Sequence, residues 1–318
     1  MKVSFFSTQM RYFLEVAEQG SINQASEKLF VAASAVSRQI TRLESAMGCA
    51  LFERKARGMV PTEAGVRLMA HLRAGSTDAE RVLAQMRGLA GQTALRVRLA
   101  CTEGFAAAFM PAVMTRFRQA HPGCQFELMV ASPADVSRLL LQGEADLALK
   151  YSVAPEKGVA VLHAANAPVY ALMQPDHPLA GQASVTAAQV VQYPLAISTS
   201  GMTGRGMFDL VASMQGLQYQ PAVISNFSAA LLPGVRAGDI VLSGYLSAAH
   251  LVREGRLVAL PFDEPQLQQR LLQVLALEGR TLTPLVEACA AELIDGIRGQ
   301  GDGRAQAGTR GVRSARKG

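Results

Sequence analysis

The sequence predicts an N-terminal all-α winged helix-turn-helix, then a long linker helix, then an α/β domain. Three observations predict this order. Residues Ser21 to Glu44 read as two short amphipathic helices, Met69 to Ala90 repeat apolar or small residues in steps of three and four, and from Leu95 onward apolar strands alternate with helical stretches.

Ser21 followed by Gln24 reads as a capping box, so a helix begins at Ile22, runs through Ala25, Ser26 and Leu29, and ends near Phe30. The second helix follows Val31, Ala32 and Ala33, and its Val36, Ile40, Leu43 and Met47 predict a buried stripe. The opposite face carries Ser34, Ser37, Arg38, Thr41 and Arg42, hydroxyls and guanidinium groups that reach base edges and phosphates from a helix in the major groove. The solvated face of an ordinary amphipathic helix holds the same residue types, so the surroundings matter. Phe6, Met10, Phe13, Leu14 and Ala17 mark a preceding helix stopped by Gly20. After Gly48, buried Leu51 and Phe52, the Gly58 turn and the returning Val60 predict a β-hairpin, or wing. Arg54, Lys55 and Arg57 near its tip suit phosphates or the adjoining minor groove, which adds salt-dependent affinity. This DNA-binding domain is expected over 1–62, with the helix-turn-helix at about 21–44.

The 318 residues allow two or three domains, and 49% hydrophobic content excludes a disordered chain. No apolar run is long enough to span a bilayer, so no membrane partner is expected. Arg11, Glu15 and Glu18 interrupt the N-terminal apolar pattern as in a core helix and not a signal peptide, which predicts a cytoplasmic protein. The net charge of +6 is uneven: residues 1–62 carry +3, 91–298 carry −2, and the Gly-rich stretch 299–318, predicted as a disordered basic tail, holds five Lys/Arg against Asp302. Cys49, Cys101, Cys124 and Cys289 lack metal-ligand spacing and are expected to be reduced. His71, His121, His163, His177 and His250 are dispersed, and there is no Gly-rich phosphate loop or nucleophile elbow. Catalytic residues, metal and cofactors are therefore expected to be none, and an α/β enzyme is the least favoured class.

Thr62 suits an N-cap, with Glu63 near the positive end of the helix dipole. The linker helix, 63–91, presents Met69, Leu72, Ser76, Ala79, Leu83, Met86 and Ala90 as the seam of a two-stranded coiled coil; packing on its own subunit is the alternative. A dimer would set two recognition helices on half-sites one helical turn apart. Beyond Gly91, strands are expected at Leu95–Cys101, Gln125–Val130 and in ADLALKY, with helices at Phe105–Gln119 and Val136–Leu141, an order that implies a parallel sheet. A second set follows: VYALM, PLAIS, a helix at Met207–Met214, PAVIS, a helix at Ala229–Arg236 and DIVLS. The chain then returns through a strand at Leu271–Leu277 and a helix at Pro284–Ile297.

FLEVAEQGSINQAS, AVSRQITRLE, the following Gly48, LFER, RG and TEAG, in this order and spacing, resemble the winged helix-turn-helix of the LysR-type transcriptional regulators. One departure lies ahead of AVSRQI. Where the family has Ser or Thr, then Gln, then Pro or Ser, this chain has Ala32, Ala33 and Ser34. Ala32 cannot cap the helix and Ala33 cannot bond adenine as a Gln would, so base readout leans on Ser34, Ser37, Arg38 and Thr41. GEADLAL, PDHPLA and the Gly238–Asp239 turn resemble the same family's effector-binding domain, a pair of α/β subdomains like periplasmic solute-binding proteins. The resemblance implies this domain over 92–298, with one subdomain of about 92–163 plus 267–298 and another of about 164–266. It implies a transcription regulator that binds double-stranded DNA as a homodimer or homotetramer, modulated by a small-molecule effector, with RNA polymerase a candidate partner. A thiol redox sensor of the same architecture, through Cys101 or Cys124, is the alternative.

Ligands of open parallel sheets sit beyond the carboxyl ends of strands, where helix N-termini point their N–H groups. Thr102, Glu103, Ser132, Ser200 and Thr203 are the candidates, with Phe227 and Tyr245 to close the site. Hydroxyls and helix ends favour a small polar anion; Glu103 favours an amine or a polyhydroxy compound. Ser and Thr at such places also serve as ordinary N-caps.

Overall fold

The computed structural model describes residues 7–55, 58–86, 95–232 and 238–301, and is built from two compact units, one up to Ala94 together with Arg138–Ala145 and one of the rest. The first unit opens with α1 (Thr8–Gln19), α2 (Ile22–Leu29) and α3 (Ala33–Met47). Ser7 Oγ accepts from Met10 N–H at the start of α1, and left-handed Gly20 closes it. Ser21 Oγ accepts from Gln24 N–H at 3.5 Å, so it caps α2; the reciprocal half of the expected capping box is not among the hydrogen bonds of the described residues. Phe30 ends α2 in the left-handed region at φ 55° and is 94% exposed. Ala32, as its side chain dictates, makes no capping bond to α3.

The hairpin β1 (Phe52–Lys55) and β2 (Gly58–Pro61) follows α3. Glu44 in α3 accepts from the N–H groups of Leu51 and Phe52 at 2.8 and 3.2 Å, which ties the start of the wing to the recognition helix. Gly58 is required because Met59 N–H reaches the Gly20 carbonyl at 2.8 Å; a Cβ at Gly58 would stand 2.3 Å from that oxygen. Thr62 Oγ1 accepts from Gly65 N–H and starts α4 (Glu63–Met86).

Phe13, Val16, Val36, Ile40, Leu43, Leu51 and Phe52 form the core of this unit, with the Phe13 and Phe52 rings 5.2 Å apart. Full burial of a side chain such as Phe13 contributes roughly 1.5–3 kcal/mol. Two expectations are corrected. Met47, placed in the buried stripe, is 44% exposed in the last turn of α3. Met69 and Leu72, read as the start of a coiled-coil seam, are 2% and 1% exposed within this unit's own core. The rest of that run, Ser76, Ala79, Leu83, Met86 and Ala90, lies outside the residues whose side chains are described.

The second unit holds two five-stranded sheets. From Leu95 the chain runs through β3 (Leu95–Cys101), α5 (Glu103–Ala106), α6 (Phe109–Ala120), β4 (Cys124–Val130), α7 (Pro133–Leu141, whose residues from Arg138 are grouped with the first unit), β5 (Leu147–Ser152), β6 (Val159–Asn166), β7 (Val169–Met173), α8 (Ala187–Val190) and β8 (Leu195–Ser198). There follow α9 (Thr203–Met214), β9 (Val223–Ser225), α10 (Ser228–Leu231), β10 (Ile240–Gly244), α11 (Tyr245–Arg253), β11 (Val258–Pro261), α12 (Pro265–Gln268), β12 (Leu271–Leu277) and α13 (Pro284–Gly301).

The strand orders are β4-β3-β5-β12-β6 and β11-β7-β10-β8-β9. The expected parallel sheet is corrected to a mixed one: β3 is parallel to β4 and β5, but β12 runs antiparallel to both β5 and β6. In the second sheet β8 is parallel to β9 and β10, and β7 is antiparallel to β10 and β11. β6 and β11 were not expected as strands. The expected helix Phe105–Gln119 is split into α5 and α6, and the expected Ala229–Arg236 helix is described only in its first half, where it overlaps α10; residues 233–236 lie outside the described residues.

The subdomain boundary drawn at 163/164 falls inside β6; the chain crosses between the sheets at Ala167–Pro168 and returns at Gln269–Arg270. Ala167 N–H donates to the Arg270 carbonyl at 2.8 Å, so the two crossovers are bonded to each other. Under the first sheet, Asp146 holds Arg98 (2.7 Å) and Arg280 (2.8 Å) in an ion-pair triad with its carboxylate 5% exposed.

Candidate functional sites

On α3, burial of Val36, Ile40 and Leu43 turns Ser34, Arg38, Thr41 and Arg42 outward, with Ser37 half-buried beside them. Thr41 Oγ1 donates back to the Ser37 carbonyl at 3.1 Å. Arg38 and Arg42, one turn apart, have no carboxylate partner among the described residues, whereas Lys28 is paired with Glu15 at 2.8 Å and Lys55 with Glu53 at 2.8 Å. Arg54 is exposed on the wing, and with Lys55 it borders a shallow concavity shared with Ser21, Ile22 and Asn23 at the start of α2. Asn23 was not singled out in the sequence, because its proximity to the wing depends on how the hairpin folds back. Arg57 lies outside the described residues.

In the second unit a cleft of about 500 Å³, counting its open part, lies at the carboxyl ends of β3, β8 and β10. Thr102, Glu103, Tyr151, Ser198, Thr203, Ser243 and Arg270 line it. The helices α9 and α11 start at its wall, with Met202 and Gly244 as N-cap residues and no side-chain capping bond on either. Thr102 Oγ1 is fully buried there with no hydrogen-bond partner among the described residues. Glu103 is 9% exposed.

Arg270 is 3% exposed. Its Nε donates to the Ala167 carbonyl and Nη2 to the Pro168 carbonyl, each at 2.8 Å. Its guanidinium lies over the Tyr151 ring. Burial pushes the Tyr151 hydroxyl up to about 12, with Arg270 opposing and Glu103 adding to the shift. Burial lowers the Arg270 pKa, against the attraction of Tyr151 and Tyr170. Gly244 leaves room for this arrangement, since a Cβ there would stand 2.1 Å from the Tyr151 hydroxyl.

Of the residues expected at this site, Thr102, Glu103 and Thr203 line the cleft, and the other four do not. Ser132 is spent on α7, where its Oγ accepts from Asp135 N–H at 3.2 Å; its neighbour Pro133 is the lining residue. Ser200 is exposed in the turn before α9. Phe227 is 44% exposed outside the lining. Tyr245 turns to the Tyr170 ring, 5.8 Å away, and only the preceding Gly244 faces the cleft. Tyr151 and Arg270 were missed; the one signal available was a charged residue at the head of the apolar run LLQVLAL.

Burial pushes the Cys101 and Cys289 thiols up to about 12 and also raises Cys124, which leaves little thiolate for reaction with an oxidant. Among the described residues no group of His, Cys, Asp and Glu is placed to hold a metal, and no helix is long and apolar enough to cross a membrane.

Residues 90–298 match the family described as LysR substrate binding domain, and residues 7–66 match the bacterial regulatory helix-turn-helix protein, lysR family. The chain belongs to the LysR family. This LysR-type transcriptional regulator is 27% identical over 301 residues to a probable nitrogen assimilation transcriptional activator of Synechococcus elongatus, covering 90% of this chain and 96% of that one. It is 29% identical over 235 residues to the RuBisCO operon transcriptional regulator of Allochromatium vinosum, covering 72% and 76%. Its fold is similar to that of ArgP from Mycobacterium tuberculosis, with a TM-score of 0.64 at 21% identity over 94% of this chain and 98% of that one. The LysR regulator thus joins a DNA-binding helix-turn-helix to an α/β effector-binding domain.

Proposed function

We propose that this LysR-type regulator reads operator DNA with Ser34, Ser37, Arg38, Thr41 and Arg42 of α3 in the major groove, and holds flanking phosphates with Arg54 and Arg57 of the wing. The observation that carries the reading is Arg38 and Arg42, exposed and, among the described residues, without a carboxylate partner, above the buried Val36, Ile40 and Leu43. The effector sits in the cleft against Thr102, Glu103, Thr203 and Arg270. Its binding energy shifts the regulator between arrangements only as far as it favours one of them. The protein acts as a regulator and not an enzyme, in the cytoplasm, as a homodimer or homotetramer. RNA polymerase is its partner at the promoter. Pairing along α4 falls beyond Leu72, because Met69 and Leu72 are committed to the core of their own unit.

Selection of genomic fragments by the purified protein at near-physiological salt, followed by footprinting, tests this. Two-fold symmetric protection on a few fragments is the expected result. Uniform, salt-sensitive retention of all fragments would reduce α3 to a non-specific phosphate contact.

A further inference from the structure

Arg270 is a buried cation on the wall of the cleft. Two of its N–H groups are met by the Ala167 and Pro168 carbonyls, and among the described residues no carboxylate lies within ion-pairing distance. A guanidinium has five donors, so N–H groups and a full positive charge remain. Nη1 adjoins Gly204 in the first turn of α9, where an added Cβ would stand 2.9 Å from it, and Nη2 adjoins Gly244 at the N-cap of α11, where a Cβ would stand 3.0 Å away. Neither helix has a side-chain cap, so their orphan N–H groups add to the positive potential. Independently, the buried Thr102 hydroxyl in the same cleft has no hydrogen-bond partner among the described residues, a condition that a ligand oxygen would relieve.

We propose that the effector is a small carboxylate that also carries a hydrogen-bond donor, bound with its carboxylate against Arg270, Thr102 and the first turn of α9. The proposal rests on the reading of the cleft as the effector site. The planar fork of Arg270 matches a carboxylate in a way that a lysine would not. Glu103, lining the same cleft, sets the direction of the ligand: its hydroxyl or ammonium end faces Glu103 and its negative end faces away. Because Arg270 also holds the Ala167–Pro168 crossover, the group that meets the carboxylate is bonded to the chain segment that joins the two sheets.

The test uses the full chain and titrates glycolate, L-lactate, glycine and L-serine, each beside its amide, at constant ionic strength, reading Tm and heat of binding. The carboxylates are expected to raise Tm and the amides to leave it unchanged. Arg270→Gln abolishes the response. Thr102→Val, which removes a hydroxyl that bonds to none of the described residues, does not lower Tm without ligand and weakens carboxylate binding about tenfold, equivalent to about 1.4 kcal/mol. If R270Q does not fold, T102V carries the test alone. Equal response to acids and amides, wild-type binding by T102V, or no response to any carboxylate overturns the proposal. A response to amides alone also overturns it and leaves the cleft as an effector site. The effector reading itself fails only if the operator footprint is also indifferent to the small-molecule fraction of a cell extract.

Discussion

The Arg270 guanidinium lies 3.8 Å from the centre of the Tyr151 ring, which in turn packs on Phe105 with centroids 4.6 Å apart. A desolvated cation over an aromatic face is worth on the order of 1–2 kcal/mol. Tyr151→Leu is therefore expected to destabilise the effector-binding unit by about 2–4 kcal/mol, through the lost ring packing and the lost cation–π contact. Tyr151→Phe keeps the ring and should cost under about 1 kcal/mol. Urea unfolding of the two variants checks this, and equal losses would remove the ring face from the account.

Arg38→Ala is expected to weaken binding to the specific operator by about 1–3 kcal/mol with an unchanged far-UV spectrum. The side chain is exposed and has no carboxylate partner among the described residues, so its removal leaves none of them unmet. Titration of labelled operator at fixed salt measures the loss. Unaltered affinity would take the readout away from this face of α3.

Burial alone would raise the Asp146 carboxyl, and the hydrogen bonds and charge of Arg98, with Arg280, overcome it and hold the carboxyl below its ordinary range. A group with a depressed folded pKa contributes stability above its unfolded value, about 3.9, and loses that contribution as pH falls from there through the folded value. Asp146→Asn should cost about 3–5 kcal/mol near neutral pH, since it leaves Arg98 and Arg280 without their buried partner. It should also flatten the acid limb of the stability curve. An acid limb as steep as in the wild type would mean that other carboxylates govern it.

Phe30 holds a left-handed backbone that costs an ordinary side chain roughly 1–2 kcal/mol, and its ring has no burial to offset that. Phe30→Asn is expected to raise the stability of the DNA-binding unit by about 0.5–1 kcal/mol, with thermal unfolding as the measure. A fall in Tm would show that the exposed ring has a contact of its own.

The helix-turn-helix was legible because its signals are local. Ser21, Gly20 and the Val36, Ile40, Leu43 spacing act within a few residues of themselves. Met47 misled because the stripe ends where Gly48 turns the chain away. Met69 and Leu72 fit two partners equally well by periodicity, and the nearer core took them. β6 was passed over because, as an edge strand, VAVLHAAN is only half covered and its apolar run is short, stopping at Leu162 before His163. The effector cleft was read in part for a different reason. Thr102 and Glu103 follow an obvious strand, but Arg270 acquires its meaning from carbonyls more than a hundred residues earlier in the chain. No spacing rule reaches that far.

The return of β12 between β5 and β6 also sets an order for synthesis. β5 and β6 are joined only through β12, so the first sheet has no pairing for β6 until Leu271–Leu277 has been made. A nascent chain must therefore carry an unfinished sheet edge through the whole production of the second subdomain. Completion of the first sheet waits on β12, made long after β6, and such non-local pairing slows folding and exposes a strand edge to chaperones or to other copies during that time. A ribosome stalled before β12 would release a protein with a complete DNA-binding unit and an effector domain unable to close its first sheet.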